Sequence, residues 1–288
     1  MEIFREMISV KKWHYCIVIE EFGYVSDEFK MKILHIARDV LRRVCPRDYS
    51  PSVIHALVFD TWDRMLRVLG EYSSSVGAFT ESISPELLAL HECWSGVPRI
   101  WICCEVMKTL PQKVTTAVLQ HEVCHAILHG TVAHYMLPVL TREYLEPLSK
   151  ILNTSNVGTV VKAVLNDLSM AIKDAEVTLE LLRAGLLLDQ IHLALYVTTQ
   201  YCEEDFKFSN MRARLLILAK PLALISHVLR TSLRQLAMRY LEYLSSRSEV
   251  PLSTLISVAK YIGELSTVKL DLYSKVKKLL LYLCYVPT

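Results

Sequence analysis

Two periods of apolar residues run along this chain. Up to about residue 110, short strand-length runs alternate with stretches at helical spacing. After Pro111, three- and four-residue spacing takes over almost completely. Trp13 to Glu20, WHYCIVIE, and Val53 to Phe59, VIHALVF, are rich in aromatic and β-branched side chains and predict strands. Arg99 to Val106, RIWICCEV, predicts a third, following the turn residues Gly96-Val97-Pro98. Ser26 to Val44 predicts a helix, with Ser26 as cap and Asp27 and Glu28 in the first turn. Trp62 to Tyr72 predicts a short second helix, and the small polar run 73–84 a loop.

Beyond Pro111 the pattern predicts helices at Gln112–His129, Thr159–Ala184, about 187–202, 211–246 with a kink near Pro221, 252–263 and 267–284. Pro111 starts the first of these and Gly130 stops it. The expected fold class is α+β. An N-terminal lobe, residues 1–130, would hold a small mixed sheet and the helix at 112–129. A helical lobe would follow over residues 131–288.

Composition narrows the class. Hydrophobic residues make up 52% of the chain and charged residues 22%, enough for a buried core and against disorder. Mean hydropathy is +0.29, which raises the question of a membrane. However, Lys220 and Pro221 break the most apolar run, and no run reaches the roughly 18 residues of a span. The N-terminal residues lack the pattern of a secretory signal, so the expected compartment is the cytoplasm. Few Asn and Gln beside many Leu, Val, Arg and Glu give a thermophile-like composition. The eight cysteines include no C-x-x-C and read as buried thiols. From Met211 onward there are twelve Lys/Arg against four Asp/Glu. The basic residues are spread out, without interleaved aromatics, so solvated helix faces are expected in place of a nucleic-acid surface.

One segment carries candidate chemistry. LQHEVCHAILHG, Leu119 to Gly130, contains His121-Glu122-x-x-His125. On the helix, Val114, Ala117, Val118, His121, Cys124, His125 and Leu128 form one stripe, so both imidazoles point inward. Four residues nearly complete a turn, which stacks the two rings where one Zn²⁺ could take a nitrogen from each. Glu122 sits beside His121, within reach of a water on the open side of the metal, and could act as general base. His129 lies about 12 Å from His121 along a straight helix and would not share its metal.

This motif, after strand RIWICCEV, resembles the active-site helix of the zincin (HExxH) metallopeptidases over roughly Pro98 to Gly185. Leu128 and Thr131 stand where the metzincin branch has Gly and His, so the resemblance is to the gluzincin-like arrangement. It implies zinc-dependent hydrolysis of a peptide or protein substrate by metal-activated water, with Glu122 as general base. It also implies an extended substrate along the strand before the helix, Arg99 to Glu105, and an acidic third ligand from a later helix. Within Thr159–Ala184, Asp174 falls inside the apolar arc and is the expected ligand. Glu176, at the opposite edge, is the alternative, and Asp167 is the expected acceptor for a ligand histidine's far N–H. Two other readings remain. Glu122-x-x-His125 with Asp189-x-x-His192 could belong to a di-iron carboxylate protein, or the chain could be a catalytically silent zincin-like regulatory or binding protein.

Overall fold

The computed structural model describes residues 2–10, 13–44, 51–78, 88–135, 145–146, 148–149, 157–200, 206 and 210–286. The fold is α+β. The chain divides into two compact units, Met1–Met136 with Glu180–Asp189, and Leu137–Leu179 with Gln190–Thr288.

The first unit is built on a five-stranded mixed sheet of order β1-β2-β3-β5-β4. Its strands are β1 (Glu2–Val10), β2 (Trp13–Phe22), β3 (Val53–Phe59), β4 (Ala89–Glu92) and β5 (Arg99–Cys103). β2, β3 and β5 run parallel, while β1 and β4 pair antiparallel at the two edges. Alternation sorts the side chains between the faces. One face carries Ile17, Ile19, Ile54, Ala56, Val58, Ile100 and Ile102, all buried. Against this face lie α1 (Asp27–Arg43) and α4 (Gln112–His129). α1 is capped by Ser26, whose hydroxyl accepts from Phe29 N–H, and Arg38 ties it to Glu6 of β1.

The other face carries Leu57, Phe59, Trp101 and Cys103, which form a core with Met65 and Leu69 of α2 (Trp62–Ser75). Phe22, Phe59 and Trp101 stack across three adjacent strands, with centroids 4.5 and 5.6 Å apart. The third strand is shorter than its sequence suggests. The chain turns helical at Cys104, giving α3 (Cys104–Thr109), and the Glu105 carboxylate there accepts from the Trp62 N–H at the start of α2. α4 matches the expected bounds but is buried nearly all round instead of along one stripe. Even Thr115 and Gln120 are enclosed, donating to Met107 O and to the Asp189 carboxylate.

The second unit is helical: α5 (Val157–Arg183), α6 (Leu187–Gln200), α7 (Met211–Ser226), α8 (Arg234–Ser248), α9 (Leu252–Thr267) and α10 (Leu272–Tyr285). The last turn of α5 and the first residues of α6 fall in the segment assigned to the first unit. The single helix expected over 211–246 is two helices. α7 runs through Pro221 and ends at Ser226, and the break falls at a 3-10 turn over Val228–Arg230. There Thr231 Oγ1 accepts from Leu233 N–H, and the ring of His227 is tied to Ser266 Oγ at 2.7 Å. α7 and α9 pack closely at Ser226 and Gly263, where a Cβ on the glycine would sit 3.4 Å from Ser226 Cβ. Among the described residues, no helix is long and apolar enough to cross a membrane.

Candidate metal centre

α4 delivers both motif histidines to the interior. His121 and His125 are 5% and 2% exposed, and their Nε2 atoms face each other at 3.1 Å. Two nitrogens bound to one tetrahedral Zn²⁺ at 2.0–2.1 Å would stand about 3.3 Å apart. The observed spacing is close to that, so the rings converge as the i, i+4 spacing predicts. Glu122, the next residue along, is half-buried.

Asp174 of α5 is 2% exposed. With His121 and His125 it forms a buried group that could hold a metal ion, each residue offering one ligand atom and all three within 4.8 Å of one another. Two imidazoles and a carboxylate suit a borderline cation such as Zn²⁺, and burial removes the competition from bulk water. Glu176 is buried too, but its carboxylate is paired with the Lys275 ammonium of α10. Glu180 is half-buried and pairs with Arg183 at 2.6 Å. Asp167 takes no hydrogen bond from either motif histidine, so the sequence-based expectation of an acceptor there is not met.

Around the histidine pair stands a layer of aromatic and imidazole groups. His129, fully buried, brings its Nδ1 to 3.2 Å from His125 Nδ1. His91, on β4, stacks on the His125 ring with centroids 5.9 Å apart and planes 11° from parallel. The Tyr135 hydroxyl in turn hydrogen-bonds His91 Nδ1. His134 lies against His129 and accepts or donates at Thr131 Oγ1, 2.8 Å away. Arg142 and Tyr144, which also follow the motif in sequence, lie outside the described residues. Sequence gave no signal for His91, which comes to the site only through long-range pairing of β4 with β5.

The strand before the helix is not the sheet edge. β5 is flanked on both sides, by β3 and by β4, so its backbone is already paired. The short β4 takes the outer position, with His91 and the buried Glu92 on opposite faces. Burial pushes the Glu92 carboxyl up, and the Trp94 N–H, Arg99 and the Trp101 indole oppose that shift. Asp189, half of the weak di-iron counterpart, has its carboxylate hydrogen-bonded to Gln120 at 3.0 Å. Among the described residues, neither Asp189 nor His192 belongs to a cluster with metal-ligand spacing. No protein-family model matches this chain, and neither a curated protein nor a solved structure matches it.

Proposed function

We propose that this protein is a zinc metallopeptidase of the HExxH type. The reading rests on one observation: two imidazoles and a carboxylate from separate helices converge in a buried group, with Glu122 next to one of the imidazoles on the same helix. His121, His125 and Asp174 would hold the ion. Zn²⁺, when bound, supplies Lewis acidity toward a carbonyl and toward water.

The remaining chemistry falls to the chain. Glu122 takes a proton from the water that adds to the amide carbon, then passes it to the departing amine as the C–N bond breaks. Asp174 is preferred to Glu176 because its carboxylate lies in the group with the two histidines, whereas that of Glu176 pairs with Lys275.

The test is Glu122→Gln assayed on a fluorogenic peptide library, with zinc content measured on the same sample. Peptidase function requires a loss of about 10²–10⁴-fold in hydrolysis with zinc retained. Undiminished hydrolysis by the variant would remove Glu122 from the chemistry. Absence of any hydrolysis by zinc-loaded wild type would leave a silent metal-binding scaffold as the better account.

A further inference from the structure

His125 is engaged at both ring nitrogens. Its Nε2 faces His121 and its Nδ1 faces His129, at 3.1 and 3.2 Å. Both contacts are enclosed, since His121, His125 and His129 are 5%, 2% and 0% exposed. A neutral imidazole carries one N–H, and two bare lone pairs brought to 3.2 Å would repel. One proton must therefore lie on the line between His125 Nδ1 and His129 Nδ1, and the open question is which ring owns it.

We infer that His129 is a positioning residue for the metal site: its Nδ1 accepts the Nδ1–H of His125. This rests on the zinc-site reading above. With the proton there, the Nε2 lone pair of His125 is left to face a cation. With the proton on His129 instead, His125 would carry its hydrogen on Nε2 and point it at His121. A ligating imidazole is commonly oriented by an acceptor on its far nitrogen. Here that acceptor is another imidazole, one turn further along the same helix. The i, i+4 step is thus used twice, from His121 to His125 for the metal and from His125 to His129 for the tautomer. His129 also packs against His125, with ring centroids 5.3 Å apart and planes 49° from parallel, so packing must be separated from the hydrogen bond.

Two substitutions separate hydrogen bonding from packing. In His129→Asn the amide oxygen takes the place of Nδ1 and keeps an acceptor. His129→Leu keeps apolar volume and removes the acceptor. Zinc affinity is measured by chelator competition, with far-UV circular dichroism to check the fold. The leucine variant should lose roughly 10–100-fold in affinity and the asparagine variant much less. Ring ¹⁵N–¹H correlation spectra of zinc-loaded wild type should place the His125 proton on Nδ1. Equal losses in the two variants, unchanged affinity in both, or a His125 proton on Nε2 in the loaded protein would overturn the inference. Should the leucine variant not fold, the wild type decides: a ¹⁵N–¹⁵N coupling across the hydrogen bond between His125 Nδ1 and His129 Nδ1 supports the inference, and a His129 ring that carries its own proton on Nδ1 overturns it. A wild type that takes up no zinc would instead overturn the zinc reading itself, which is a different result.

Discussion

Lys275 and Glu176 form an ion pair with side chains only 6% and 8% exposed. Glu176 lies two residues from Asp174 on α5, so the two acids compete on paper for one role. The structure sets the two acids apart: Asp174 belongs to a group with His121 and His125 that could hold a metal ion, and Glu176 pairs with the lysine. Glu176→Gln should therefore leave zinc stoichiometry unchanged, whereas Asp174→Asn should weaken binding sharply. Equilibrium dialysis with zinc reads both. Loss of zinc in the glutamine variant alone would make Glu176 the ligand.

The same pair predicts a stability cost. Lys275→Met removes the ammonium partner of a buried carboxylate, and breaking such a pair costs about 3–5 kcal/mol. Chemical denaturation followed by far-UV circular dichroism should show the loss. A midpoint within error of wild type would mean that the pair is solvated in solution.

Gly130 ends the motif helix by close approach. Its φ is −72°, open to any residue, yet a Cβ there would sit 2.4 Å from the Ala126 carbonyl oxygen and 2.8 Å from Pro51 Cγ. Gly130→Ala should destabilise the first unit by about 1–3 kcal/mol, the usual cost of overpacking. The four tryptophans, Trp13, Trp62, Trp94 and Trp101, all belong to that unit, so their fluorescence reports its unfolding directly.

Burial pushes the thiols of Cys93, Cys104 and Cys284 up to about 11 from an ordinary 9.0. A group whose pKa is higher folded than unfolded binds its proton more tightly when folded. Its contribution is intact below pH 9 and is lost as pH rises toward 11. Thermal stability should fall across that window, and Cys104→Ala should flatten the fall. At pH 8 iodoacetamide should modify half-buried Cys16 ahead of buried Cys93, Cys104 and Cys284, as peptide mapping by mass spectrometry would show.

Some of this architecture is written locally and some is not. β3 and α4 have the bounds that sequence predicts, because β-branched residues mark the one and Pro111 and Gly130 bracket the other. The approach of His121 and His125, one turn apart on α4, follows from helical spacing. β1 escapes notice because EIFREMISV mixes charges with apolar residues and buries only Ile8 and Val10 among its described side chains, as suits an edge strand. β4 is four residues long, ALHE, and exists only through pairing with β5. Four residues carry too little periodicity to mark a strand, so from sequence β5 reads as the edge and His91 has no visible role. His129 is legible at its spacing, one turn beyond His125 on the same helix. Its contact with His125 depends on rotamers that no pattern specifies.

The account stands on a cation held by His121, His125 and Asp174. Crystals grown with Zn²⁺ and measured on either side of the zinc absorption edge test it most directly. The expected result is one anomalous peak per chain, within about 2.0–2.2 Å of His121 Nε2, His125 Nε2 and an Asp174 carboxylate oxygen. A map with no anomalous density there, and the two rings bonded only to each other, would contradict it.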